Sequence, residues 1–180
     1  AIPNGAFEGC IALNNVSLPK TLTKIDTNAF TGCTSLTTLI IPETISSLGY
    51  SVFADCTSLI AVSFSNTKNL NSLGQNTFLN CSSLSKVVIP ESVVHIGANA
   101  FANCTSLLDI TIPKSVEQLH STAFTNCKKL VHIKNLSAEP IVMGDFDYEL
   151  VTNSKTGFNT SINYEENGVI TYVKNNVNYV

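Results

Sequence analysis

The sequence predicts a solenoid of six stacked repeats of about 23 residues, with a parallel β-sheet on one face, short helical turns opposite and a β-rich C-terminal cap. Three observations predict it. Phenylalanine recurs at Phe7, Phe30, Phe53, Phe78, Phe101 and Phe124, at intervals of 23, 23, 25, 23 and 23. Cysteine keeps the identical intervals at Cys10, Cys33, Cys56, Cys81, Cys104 and Cys127. Three residues after each cysteine stands Leu13, Leu36, Leu59, Leu84, Leu107 or Leu130, followed by an apolar residue three positions on. A fixed period of this kind marks a chain of short units that bury their apolar side chains only by stacking on one another.

The unit reads AFxxCxxLxxIxIPx[ST]VxxIGxx, and its elements follow in order. AFxxC makes a tight helical turn whose Phe and Cys point inward. LxxIxI has the two-residue alternation of a half-buried strand, and copies of it pair in parallel about 4.8 Å apart. Pro19, Pro42, Pro90 and Pro113 end the strands, because proline lacks the N–H that a continuing ladder requires. Thr21, Thr44, Ser92 and Ser115 then sit in a turn, where a hydroxyl bonds the freed backbone. VxxI, as in Val93 to Ile96, forms a second short extended edge, so each coil is a flattened triangle. The one long interval comes from "FSNTKNL" at 64 to 70, whose two extra residues lengthen a bend. A stacked repeat tolerates an insertion confined to a turn.

LNNVSL, LTTLII, LIAVSF, LSKVVI and LLDITI match the LxxLxL core of leucine-rich repeats, which makes the fold class a leucine-rich-repeat solenoid. The complete unit resembles the BspA-like leucine-rich repeats of bacterial and protist surface proteins, also called the Treponema pallidum type, over residues 1 to about 136. That resemblance implies a secreted or surface-anchored protein, commonly an adhesin or other protein-protein interaction module. After Leu130 the line "VHIKNLSAEP" replaces I-x-I-P, so residues 1–138 read as the repeat solenoid and 139–180 as a C-terminal cap or irregular β-hairpin region. "INYEENGVITYV" carries the hairpin signal, with Asn167 and Gly168 suited to a type I′ turn, and a third strand is expected about Asn175 and Asn176. The chain begins inside a repeat, Ile2 matching Ile25, and reads as a piece of a longer protein whose secretion signal or anchor lies elsewhere.

Composition removes several classes of function. All ten basic residues are lysine, so the planar guanidinium fork that grips phosphate is missing and nucleic acid is not an expected partner. No apolar run approaches the roughly 20 residues that span a bilayer, so this segment is not expected to insert in a membrane. HExxH, GxSxG and phosphate-binding glycine loops are absent, and His95, His120 and His132 fall at unlike places in their repeats. No enzyme activity and no cofactor are expected.

Six cysteines in an extracellular setting ordinarily suggest three disulfides. Here each occupies the same inward slot, and parallel Cβ vectors aim neighbouring sulfurs poorly at one another. The reading is a structural ladder of free thiols. In "GDFDYE", Asp145, Asp147 and Glu149 alternate and present three carboxylates in one direction, a weak calcium candidate set against a plainly solvated acidic loop.

The candidate ligand-binding face is the outward side of the strands, which forms two columns. The first is Asn15, Thr38, Ala61, Lys86, Asp109 and His132; the second is Ser17, Ile40, Ser63, Val88, Thr111 and Lys134. The expected partner is a protein or extracellular-matrix ligand of a host or neighbouring cell. The alternative is a passive structural spacer that presents another domain, since threonine, valine and isoleucine favour a pleated surface whatever their role.

Overall fold

The computed structural model describes residues 1–136 apart from 65 and 131, with the backbone course alone for 132, 133, 135, 160–165 and 169–174. The first edge of the triangle carries β2 (Thr38–Ile41), β4 (Ala61–Phe64), β6 (Lys86–Val87), β8 (Asp109–Ile112) and β10 (His132–Asn135). The second carries β1 (Lys24–Ile25), β3 (Ser47–Leu48), β5 (Ser72–Leu73), β7 (His95–Ile96) and β9 (Gln118–Leu119). β11 (Thr160–Glu165) and β12 (Val169–Lys174) follow. All pairings between coils are parallel, and the register joins the expected positions: Thr38 faces Ala61, Ala61 faces Lys86, and Asp109 faces His132.

The inward column of each motif position is continuous. The six phenylalanine rings stack with centroids 5.0 to 5.7 Å apart and planes within 22° of parallel. Leu36, Leu59, Leu84, Leu107 and Leu130 run beside them, all buried. The third corner contains no helix among the described residues. Its Asp26–Cys33 segment alternates local bonds (Ala29 N to Asp26 O, Thr31 N to Asn28 O, Cys33 N to Phe30 O) with bonds to the next coil (Asn28 N to Tyr50 O, Phe30 N to Val52 O, Gly32 N to Ala54 O). Positive φ at Asn28 and Gly32 breaks the helical path, so every second N–H leaves the turn and ties one coil to its neighbour. The residue two after each Phe sits in the left-handed region at Gly9, Gly32, Asp55, Asn80, Asn103 and Asn126. From the third coil on its side chains form a ladder: Asn126 Nδ2 to Asn103 Oδ1 2.6 Å, Asn103 to Asn80 2.6 Å, Asn80 to Asp55 2.7 Å.

Four expectations are corrected in detail. The first coil's LNNVSL forms no strand, and no backbone hydrogen bond joins it to β2, so Val16 and Leu18 stay half-buried at the end of the stack. The strand face is divided, since β2, β4 and β6 form one sheet while β8 and β10 belong to another. The turn hydroxyls reach the preceding coil rather than their own turn: Thr44 donates to Leu22 O at 2.6 Å, Ser92 to Leu70 O at 2.7 Å and Ser115 to Val93 O at 2.6 Å. The hairpin forms, with Glu165 paired to Val169, which leaves three intervening residues where a type I′ turn has two. Its second strand runs antiparallel to β10, so the sheet order is β11-β12-β10-β8 and the hairpin lies along the last coil's edge. The strand expected about Asn175 and Asn176 lies outside the described residues.

Candidate functional site

Alternation along each strand sends Leu39, Ile41, Val62, Val87, Ile110 and Ile112 inward and leaves the intervening side chains to solvent. Thr38, Ile40, Ser63, Lys86, Val88, Asp109, Thr111 and Lys134 are exposed, and Ala61 is half-buried. His132 takes its place in the register opposite Asp109. Ile40 and Val88 are 64% and 65% exposed, a high value for aliphatic side chains on a sheet.

The structure brings Asn15, Ser17, Thr38 and Ile40 together around one groove of about 600 Å³, with Lys20 and Glu43 also in its lining. The groove exists because the first coil is not hydrogen-bonded to β2 along this edge. It also adds two residues that the alternation argument missed. Ile60 and Leu108, each directly after the buried leucine of its coil, are 49% and 45% exposed beside the face. The signal was present, since both are apolar at a position where the first, second and fourth coils carry Asn14, Thr37 and Ser85.

None of the six cysteines forms a disulfide. Five are buried and each thiol donates to the carbonyl of the phenylalanine one coil back: Cys33 to Phe7, Cys56 to Phe30, Cys81 to Phe53, Cys104 to Phe78 and Cys127 to Phe101, at 3.1 to 3.3 Å. Burial pushes the thiols up, to about 11 at Cys33 and about 12 at Cys56, and well above the ordinary value at Cys81 and Cys104. Cys10 is exposed in this chain. The Cys33, Cys56, Cys81 and Cys104 thiols are the opposite of activated nucleophiles. No group of three or more potential metal ligands converges among the described residues. Asp145, Asp147 and Glu149 lie outside them. No helix there is long and apolar enough to cross a membrane.

Comparison with known proteins adds to this geometry. Residues 1–131 match the family model of the BspA type leucine rich repeat region, in six copies. A leucine rich cell surface protein from Faecalibacterium prausnitzii is similar at 33% identity and a TM-score of 0.64, over 68% of this chain and 32% of that one. The leucine rich repeat protein of T. pallidum is similar at 32% identity and a TM-score of 0.60, over 62% of this chain and 51% of that one. The pneumococcal vaccine antigen PcpA is similar at 25% identity and 0.60, over 67% and 30%. The chain therefore spans about a third to a half of the length of these structures. A search of curated proteins finds no match.

Proposed function

Because the chain belongs to the BspA-type leucine-rich repeat family, we propose that it is the protein-binding segment of a cell-surface protein and adheres to macromolecules of a host or neighbouring cell through its outward strand face. The observation that carries this is the row of solvent-facing aliphatic side chains. Of the six large hydrophobic residues exposed among the described ones, Ile40, Ile60, Val88 and Leu108 flank or lie on this face. They recur one per coil on four successive coils along one side of the stack, with Ser63 and Ser85 between them. Lys86 and Asp109 stand between them and supply charge for orientation. The face lacks tryptophan and arginine, the strongest hot-spot residues, so each contact is weak and affinity grows by repetition along an array. Residues 139–180 serve as a cap, a reading supported by the pairing of β12 with β10.

The test is a screen of the immobilised chain against fibronectin, laminin, collagen and fibrinogen. Replacing Ile40, Lys86, Val88 and Asp109 together is expected to weaken the binding found by at least about tenfold, the loss of about 1.4 kcal/mol. Binding that survives the quadruple replacement refutes the face, and a chain that binds none of the four acts as a spacer.

A further inference from the structure

The second edge of the solenoid is interrupted at one step. β1 pairs with β3, β5 with β7 and β7 with β9, but β3 and β5 are not paired. At the intact steps the backbone bonds repeat: Gly49 N to Ile25 O, Gly97 N to Leu73 O and His120 N to Ile96 O. The equivalent bond between Gly74 N and Leu48 O is missing among the described residues, as is that between Ser72 N and Ser46 O. A second observation measures the same opening. A Cβ at Gly49 would clash with the backbone of Thr27, and one at Gly97 would lie 2.8 Å from that of Gln75. A Cβ at Gly74 meets only the ring of Tyr50, at 3.3 Å, with Gly49 O at 3.8 Å. The coils that touch backbone to backbone elsewhere are spread here. The cause lies in the two-residue insertion, which lengthens the bend leading into β5 and displaces the third coil's second edge from the coil before it.

The opening is a slot of about 270 Å³. One wall offers the free carbonyls of Ser46 and Leu48, and the other the free N–H groups of Ser72 and Gly74. Ser46 and Asn71 bring exposed polar side chains to the same lining. Tyr50, the one exposed aromatic among the described residues at 62%, rests on Gly74 and leaves the rest of its ring to solvent. No charged side chain lines the slot.

We propose that this slot beside Tyr50 is a binding site for a neutral sugar unit. A pyranose ring presents an apolar C–H face, which matches the negative face of an aromatic ring, and a rim of hydroxyls that both donate and accept, which matches free carbonyls on one wall and free N–H groups on the other. The absence of charge excludes phosphorylated and acidic sugars as the preferred ligand. The size fits, being below the roughly 300–1,000 Å³ of sites for drug-sized molecules. Neither a sugar ring nor an extended peptide fits between the walls, so the ring lies on Tyr50 across the mouth of the slot and only a hydroxyl reaches between them. Cα atoms of β3 and β5 still approach within 8 Å, whereas inserting a strand requires two ladder spacings, roughly 9 to 10 Å. The site is on a different edge from the adhesive face, and neither depends on the other.

The 180-residue chain is titrated with glucose, galactose and N-acetylglucosamine and followed by saturation-transfer NMR. At least one sugar is expected to bind in the millimolar range. Tyr50→Ala weakens it by about tenfold or more, Tyr50→Phe stays within about threefold because stacking is retained, and Ile40→Ser changes nothing. No transfer to any of the three sugars overturns the proposal, as does equal binding by Tyr50→Ala or loss in Ile40→Ser. Displacement of the sugar by a terminally blocked tetra-alanine peptide also overturns it, since that identifies an open strand edge instead.

Discussion

Each buried cysteine fills the space between a stacked phenylalanine and the leucine of its own coil, and spends its one weak donor on the carbonyl of the coil behind. The position of this column follows from sequence spacing alone. The thiol-to-carbonyl bond does not, because it depends on the offset between coils. In native protein at pH 8, a thiol reagent is expected to modify Cys10 alone, and in denaturant without reductant all six; a second fast-reacting thiol in the native state disproves the sealed column. The same burial sets a pH dependence. The folded thiols hold their protons to about 11 at Cys33 and about 12 at Cys56, against 9.0 for the free group. Their contribution is therefore complete below pH 9 and is lost as pH rises through the folded values, because the unfolded chain releases protons that the folded chain keeps. Urea midpoints level to pH 8.5 and falling from pH 9 to 11 are the expected result.

At the scale of the element, none of the strands on the second edge exceeds two residues, so their stability comes from the side chains beneath them rather than from the ladder. Phe78 and Phe101 are wholly buried between two ring neighbours, while Phe7 has one neighbour and is half-buried. Phe101→Ala is expected to cost about 3–5 kcal/mol in urea unfolding, and Phe7→Ala a small fraction of that. Equal costs would contradict the stacked ladder. The coils, their inward columns and their parallel order are legible in the sequence because one period repeats through them. The failures fall where the period is broken or ends. LNNVSL has the strand pattern but makes no backbone hydrogen bond to β2, and without that pairing the pattern does not make a strand. The insertion at 64 to 70 reads as a harmless bend, yet it opens the second edge between β3 and β5 and leaves the Thr67 hydroxyl buried without a partner among the described residues. The outward columns are legible too, but which of their members matter is not, since an outward position constrains nothing in the fold.

The molecule as a whole is a one-dimensional stack. The turn N–H groups of each coil point to the coil that follows, from Phe7 to Ala29, Phe30 to Val52, Phe53 to Thr77, Phe78 to Ala100 and Phe101 to Ala123, and the thiols point the opposite way. Contacts reach nearest neighbours only, so stability is close to a sum over coils and interfaces. A stack with only nearest-neighbour interfaces has a mechanical consequence. Tension applied through the two chain ends loads the terminal coil first and one interface at a time, so the stack peels instead of breaking all at once. Each released coil of 23 residues lengthens the chain by roughly 80 Å, and single-molecule pulling is expected to show steps of that size, with one longer step for the 25-residue coil. A single all-or-none rupture would show instead that the coils share load. A chain built this way yields length gradually, one coil at a time, so a load across it is released in small increments rather than in one event.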